Sequence, residues 1–359
     1  MTPLIILCFL LQYGKTKILN PSSRLRAALE SDCELKTLHK EYREEHQHTR
    51  PPNEESSRLG QFREKIRAVL ELREDPAVTW DVDVTFMADM TEDERDLYKT
   101  GFNDTSVDIP ITLQSSVGLS AYNVPAEFDG WRQKNFVPPI KQQKKGSCWA
   151  HAAAVPLEAQ LAAKKGWFEK LSVQELFDCG LPKGRHENGG WPRFGWEYVM
   201  RSGRLGLDSK TPEFGGDDTQ GHHCSYYQFT FNALDGTVLT SINRIPPRDE
   251  DLKYVLSAIS PVGVSVETDV SGLDYYHGGI FNPRKCGPRP DHSMVTVGYT
   301  VDYWIVRNSW KPTWGMQGHV WWTRKGKGCF LLEHARYPYL EAQTPIVQKR
   351  EELGNDEDL

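Results

Sequence analysis

The chain has 359 residues, enough for one large domain or two of ordinary size. Apolar residues make up 38% and charged residues 26%, the balance of a soluble globular protein, and a formal net charge of -6 supplies no basic footprint for nucleic acid. Neither CxxC nor HExxH occurs, which argues against a metal site of the zinc kind. No segment beyond the N-terminus is long and apolar enough to cross a bilayer.

The first residues carry an apolar run from Pro3 to Leu11, too short to span a membrane and suited to the apolar stretch of a signal peptide. Residues 1–20 are therefore expected to be a signal peptide. There are seven cysteines: Cys8, Cys33, Cys148, Cys179, Cys224, Cys286 and Cys329. If Cys8 leaves with the signal, five of the rest fall after residue 140, and a secreted chain with an odd count is expected to hold pairs plus one free thiol.

From about residue 24 to 100 the chain is rich in Glu, Arg, Lys and Leu and reads as helices. The clearest runs from Ser56 to Glu74, with Leu59, Phe62, Ile66, Val69, Leu70 and Leu72 near helical spacing, and Pro51 and Pro52 part it from the stretch before. Residues 102–123 lack periodicity and read as a linker, in which Asn103-Asp104-Thr105 is a glycosylation acceptor sequence. Beyond this, Ser147 to Lys165 is Ala- and Leu-rich and reads as a buried helix. Val262–Val266, Ser293–Tyr299, Tyr303–Arg307 and His319–Thr323 read as strands between Gly- and Pro-marked turns. A helical part followed by a strand-rich part predicts an α+β architecture. From Tyr339 the chain carries six acidic and two basic residues and reads as an acidic tail over 339–359.

Three segments carry chemistry. Gly146-Ser147-Cys148-Trp149 sets a thiol at the start of a helix, where the positive end of the dipole favours thiolate, behind a glycine that admits a close backbone approach. Asp291-His292-Ser293 puts an imidazole at the mouth of a strand, where it can take the proton of a neighbouring thiol. Asn308-Ser309-Trp310 offers an amide oxygen that can fix the tautomer of a histidine and a ring that can shield that bond. Taken singly, each has an ordinary reading: a buried Cys in an Ala-rich helix, a strand-edge His, a turn Asn among aromatics.

Together, in the order Cys148, His292, Asn308, with a wide first interval and a short second one, the segments resemble the papain-like cysteine peptidases, in general plan the cathepsin L-like members. The resemblance extends over roughly residues 54–338. Val124 to Arg132 is similar to that family's mature N-terminus, Ser172 to Cys179 to its second helix, Asn188-Gly189-Gly190 to its Asn-Gly-Gly loop, and Gly278-Gly279-Ile280-Phe281 to the turn before its histidine. Glu54, Arg58 and Phe62 sit at the spacing of the helical signature of its inhibitory prosegment, whereas Lys65, Val69 and Arg73 depart from it; Thr85 to Thr91 is similar to the short element next to that helix.

The resemblance implies a two-lobed fold, one lobe helical and one β-barrel-like, with an N-terminal helical prosegment over 21–122 and a peptidase domain over 123–338. It implies hydrolysis of peptide bonds by a Cys148 thioacyl-enzyme, with His292 as acid and base, Asn308 as orienter and a glutamine donating to the oxyanion. Gln142 has the ungapped spacing for that glutamine, and Gln143 fits if one residue is deleted from the loop; Gln142 is the expectation. Gly146, Gly189, Gly190, Trp191, Pro192, Ser265, Pro290, Asp291, Trp310 and His334 are expected to meet substrate. Trp191, Pro192, Arg193, Ser265, Pro290 and His334 would line the pocket for the residue two before the cut, with His334 at its base. The disulfides it implies are Cys179–Cys224 and Cys286–Cys329. The family's bridge beside the nucleophile is absent, since Lys145 and Glu187 stand at those positions, where they are expected to form an ion pair. No cofactor is implied. The partners are protein or peptide substrates and the chain's own prosegment, on a monomer in the secretory pathway, either in a lysosome-like compartment or secreted. The rival reading is a papain-fold protein that has lost its chemistry and serves in binding or structure; His151, where an aromatic is usual, and Lys311-Pro312, where Gly is usual, are the departures that favour it.

Overall fold

In the computed structural model the described residues are 20–49, 51–99, 123–143, 146–181, 189–210, 224–229, 232–268 and 272–343. The signal-peptide expectation, Asn103, Lys145, Glu187 and Asn188 lie outside them, as does most of the acidic tail.

The N-terminal part opens with α1 (Ser22–Glu30), α2 (Asp32–His46) and α3 (Glu55–Glu74). The residues buried from α3 are Phe62, Ile66, Val69 and Leu70, one stripe of a 3.6-residue period, joined by the aliphatic stem and guanidinium of Arg58. Arg58 ties the helix to the chain on either side, pairing with Glu54 at 2.6 Å, with Glu94 at 2.8 Å and with the Asp89 carbonyl at 3.1 Å. The short β1 (Asp81–Val82) and α4 (Glu92–Asp96) complete this part, α4 opening with a reciprocal capping box between Thr91 and Glu94. The residues off the prosegment pattern have structural work of their own. Arg73 donates to the Val82 carbonyl at 2.8 Å, and Lys65 reaches the Tyr275 hydroxyl at 3.2 Å.

The second part begins with α5 (Gly130–Gln133), α6 (Cys148–Lys165), α7 (Val173–Cys179) and α8 (Pro192–Ser202). Helix α6 buries residues on every side from Cys148 to Ala162, as its Ala-rich composition predicts. It ends at Gly166, in the left-handed conformation that favours glycine there. Helix α8 lies close on α6: a Cβ on Gly195 would stand 2.9 Å from that of Ala153. The Trp196 indole donates to the Ala153 carbonyl at 2.9 Å.

Beyond these come β2 (Thr237–Arg244), then helix α9 (Asp249–Ala258), β3 (Val262–Val266), β4 (Tyr276–Gly278), β5 (Ile280–Phe281), β6 (His292–Tyr299), β7 (Tyr303–Arg307), β8 (His319–Thr323) and β9 (Arg336–Ala342). Among the described residues they form a seven-stranded mixed sheet in the order β2-β9-β3-β6-β7-β8-β5, and β1 pairs with β4 in a two-stranded ribbon. The strand-rich lobe expected from resemblance is this mostly antiparallel sheet, which among the described residues does not close into a barrel and whose parallel pair is β5–β8. Strand β6 is buried along its whole length. Its Val295 and Val297, with Ile305 of β7, pack against Ala152 and Val155 of α6. That contact joins the lobes.

The N-terminal part and the sheet share one hydrophobic core, which contains Leu25, Phe62, Ile66 and Trp80 as well as Val264, Tyr276, Phe281, Trp304 and Trp322. Trp80 stands edge-on to Phe281 at 5.0 Å, and Thr85 donates to the Asp274 carbonyl at 2.8 Å. The helical lobe has its own core around Trp149, Leu157, Leu176 and Trp196. Bridges Cys179–Cys224 and Cys286–Cys329 close loops of 45 and 43 residues, as the resemblance implies.

The expected tail is corrected at its start. Strand β9 runs past Pro338 to Ala342, pairs Tyr339 with Ser241 and Leu340 with Leu239, and buries Leu340 completely. Removing a fully buried leucine costs about 2–5 kcal/mol. Leu340→Ala is therefore expected to lower the thermal unfolding midpoint clearly; a midpoint equal to that of the unaltered protein would show that residues 339–342 are not part of the sheet.

Candidate active site

Cys148 is the first residue of α6, buried where that helix meets the start of β6. Its sulfur accepts the Ser293 backbone N–H at 3.4 Å. This places the thiol against the first residues of β6, of which His292 is the start. The His292 Nε2 stands 2.8 Å from Asn308 Oδ1, and the Ser309 N–H donates to the same Asn308 oxygen at 2.8 Å. A backbone N–H requires an acceptor, so that atom is the amide oxygen, and Nε2 of His292 carries the proton. The lone pair then sits on Nδ1, which has no hydrogen-bond partner among the described residues and is sealed from solvent. Trp310, fully buried, lies over the imidazole with ring centres 4.8 Å apart, and Trp314 meets Trp310 edge-on at 5.2 Å. The three residues expected from the sequence are thus brought together by a helix start, a strand start and a strand end.

Burial pushes the His292 imidazole down to about 4; the Asn308 bond opposes this, and the charge of Lys99 adds to it. Lys99 belongs to the N-terminal part and is itself 8% exposed. The main chain before it lies over the site. Gly146, at positive φ, donates its N–H to the Leu97 carbonyl. The Tyr98 carbonyl accepts from Gln143 Nε2 at 3.0 Å and from the Trp310 indole at 3.3 Å.

The glutamine expectation shifts by one residue. Gln142 sends its amide to the Tyr98 hydroxyl at 2.8 Å and pairs by its backbone with Trp310. Gln143 is fully buried; its Oε1 accepts from Ser309 Oγ at 2.6 Å, and its backbone N–H donates to the Ser309 carbonyl at 2.6 Å. Gln143, not Gln142, is the side chain clamped beside Asn308 with its amide group turned into the cleft.

The residues expected to meet substrate fall in two groups. Gly189 and Gly190 are buried, and Gly190 lies where a Cβ would stand 3.1 Å from the Trp149 ring. Trp191 stacks on His334 with ring centres 4.9 Å apart and planes 21° apart. Pro192 opens α8; Ser265 is buried with its Oγ unpartnered among the described residues; Pro290 is half-buried. Arg193 is buried and turned along α8, 3.7 Å from Glu197. Asp291 holds a loop, its Oδ1 accepting from the Thr268 N–H at 2.8 Å and hydroxyl at 2.9 Å.

Near Asn308 lie half-buried His151, already noted as a departure from the family pattern, and buried Glu158 and Arg307, which sequence spacing did not single out. Burial pushes Glu158 up to about 7 and Arg307 down to about 10, each drawn back by the other, and His151 is pushed down to about 3 by burial, Lys141 and Arg307. Their separation along the chain left no local signal.

Comparisons with known proteins agree with this geometry. The family model described as papain family cysteine protease matches residues 124–339. Cysteine proteinase COT44 of Brassica napus is 30% identical over 82% of this chain and 92% of its own, and a cathepsin L-like peptidase of Aedes aegypti is 31% identical over 70% and 76%. Among solved structures, a recombinant stem bromelain precursor superposes with a TM-score of 0.73 at 26% identity, covering 86% of this chain and 99% of its own. A digestive procathepsin L 3 of Tenebrio molitor reaches 0.68 at 25%, covering 85% and 99%. The chain belongs to the papain family of cysteine proteases.

Proposed function

We propose that this protein is a cysteine endopeptidase made as a precursor, with Cys148 as nucleophile and residues 21–122 as a prosegment that covers the cleft. The observation that carries this is the Leu97–Tyr98 main chain lying on Gly146, Gln143 and Trp310, beside a thiol at a helix start and an imidazole oriented by Asn308. A peptide main chain already occupies the place a substrate main chain would take. Relatives whose titles describe precursors and procathepsins support the same reading.

Once the segment leaves, the Lys99 charge and much of the burial leave His292, so its affinity for a proton rises and the Cys148 proton passes to Nδ1. The thiolate attacks the scissile carbonyl; the sulfur–carbon bond forms, and the oxyanion is held by the Cys148 N–H and Gln143 Nε2. The carbon–nitrogen bond breaks as His292 gives its proton to the leaving amine. Water, losing a proton to His292, then hydrolyses the thioester and restores the thiol. The apolar N-terminal run supports a secretory route, to a lysosome-like compartment or outside the cell, and Asn103 as a glycan acceptor.

Labelling separates this from a silent papain-fold protein. After acid treatment, an irreversible thiol-directed epoxide peptide is expected to react once per molecule and to abolish hydrolysis of a fluorogenic peptide. Cys148→Ser is expected to lose both while keeping its melting temperature; hydrolysis by that variant would sink the assignment.

Acid should loosen the cover. His46 of α2 sits against the peptidase domain, where Lys311 donates to its carbonyl at 3.3 Å. Burial, then His48 and Lys311, push its imidazole down to about 4, with Asp89 opposing. Because the docked state binds a proton less readily than the free segment, docking is strongest above the free value of about 6.5 and weakens as pH falls towards about 4. His292, lowered in the same way, acts with the same sign. Glu158, raised by burial, acts with the opposite sign on folding but does not touch the segment. In the Cys148→Ser precursor, the acid-induced release of the segment, followed by limited proteolysis, is expected to shift to lower pH when His46 is changed to Gln. An unmoved midpoint would remove His46 from the account.

The resemblance puts Trp191, Pro192, Ser265 and His334 around the residue two before the cut, and their chemistry supports a preference beyond plain aliphatic side chains. Ser265 Oγ is unpartnered among the described residues, and the ring of His334 lies flat on Trp191. A positional peptide library is expected to favour hydrogen-bonding or acidic residues two before the cut more strongly near pH 5 than near pH 7, and His334→Ala to erase the difference. An aliphatic preference unchanged by that substitution would refute it.

A further inference from the structure

Arg307 is the last residue of β7, paired across the sheet with Val295 on one side and His319 on the other, and the next residue is Asn308. Its guanidinium is buried and does not face solvent. It points at the loop that carries the glutamines, donating Nη1 to the Pro138 carbonyl at 2.6 Å and Nη2 to the Pro139 carbonyl at 2.9 Å. Two residues further along, Ser309 holds Gln143 by its carbonyl and its hydroxyl.

We propose that Arg307 is a positioning residue for the oxyanion site: the fork on Pro138 and Pro139 and the clamp on Gln143 register the 138–143 loop against the same strand end that sets Asn308. The proposal rests on the reading of Gln143 as oxyanion donor.

Packing alone does not hold this loop. Val137 is only partly buried at the edge of the Ala152, Val155, Val295 cluster. Ile140 packs onto Gly318, where a Cβ would stand 2.7 Å from it. Beside Lys141 of the loop, between α6 and the sheet, lies a small cavity of mixed lining, with His151, Ser293, Arg307 and Asn308 next to Ala152, Val155 and Val295. A loop beside an unfilled cavity can slide unless directional bonds fix it, and consecutive prolines have no N–H groups of their own with which to pair to the sheet. The planar fork of arginine meets two successive carbonyls at once, which a lysine cannot. The two carbonyls hold the buried guanidinium in place.

The test uses the acid-activated full-length precursor and compares Arg307→Met and Arg307→Lys, each alone and with Gln143→Ala. Active sites are counted with the epoxide, and the pH profile of Cys148 alkylation by iodoacetamide is recorded, since alkylation makes no oxyanion. Displacing a catalytic donor by about 1 Å can cost about 100-fold. Arg307→Met is therefore expected to lower kcat per titrated site about 10- to 100-fold with KM within about twofold and the alkylation profile unmoved. On the Gln143→Ala background the same change should cost little further, because the donor it places is gone. A kcat per site within about twofold of the parent, or a loss that adds in full on Gln143→Ala, would overturn the proposal. If Arg307→Met does not fold, Arg307→Lys decides: a smaller loss, again absent on Gln143→Ala, supports it, and full kcat overturns it. An unaltered protein that takes the epoxide on Cys148 but hydrolyses no peptide would instead overturn the peptidase reading on which it rests.

Discussion

A helix that is apolar on every face has to be surrounded, and that condition on α6 organises the peptidase domain. The helical lobe packs on one side through Trp149, Ala153 and Leu157, and the sheet packs on the other through Ala152 and Val155. The N-terminus of such a helix can only emerge at the seam between the two lobes. Cys148 stands there, at the positive end of an 18-residue helix, with strand β6 beginning beside it. The thiol owes its neighbours to this burial: His292 is adjacent because β6 must cover α6, and Asn308 because β7 must pair with β6.

The cleft that results holds polar groups that need partners when water is excluded. Gly146 N–H, the Gln143 amide and the Trp310 indole all find them in carbonyls of Leu97 and Tyr98. These are main-chain acceptors, which any extended peptide presents. Acceptors of this kind hold the N-terminal part no more tightly than they would any other peptide, so its hold comes from elsewhere. It comes from the shared core, where Trp80, Phe62 and Ile66 join the sheet's aromatics, and from the β1–β4 ribbon. Apolar burial of that kind changes little with pH, whereas the surrounding imidazoles do.

Much of this was legible in the sequence where the signal is local. The β3, β7 and β8 spans coincide with the alternation and turn residues that mark them, β6 starts one residue earlier at His292, and the helix at Cys148 follows from composition. Segment order and family resemblance brought Cys148, His292 and Asn308 together, and the two bridges came from resemblance. The features that were not legible depend on pairing at a distance. Two adjacent glutamines look alike until Ser309 chooses between them. The end of β9 hides in an acidic composition because its partner strand, β2, is some hundred residues away. Tyr98 sits in a segment with no motif, and its role is set by where α4 directs the chain.

The group behind Asn308 shows why such long-range pairings persist. Glu158, whose Oε1 accepts the Leu171 N–H at 2.9 Å, and Arg307 are both removed from solvent. Burying a charge costs stability unless it is fully partnered, and apolar replacements of equal volume often do as well. Stability alone therefore does not account for them. Apolar side chains would fill the space, yet they would present nothing to the Pro138 and Pro139 carbonyls, which would lose the donors they now have. The directional bonds cost desolvation and return a defined register between a loop and a strand end. Where Ser309 clamps Gln143 and Asn308 holds His292, that register is what the buried charge contributes.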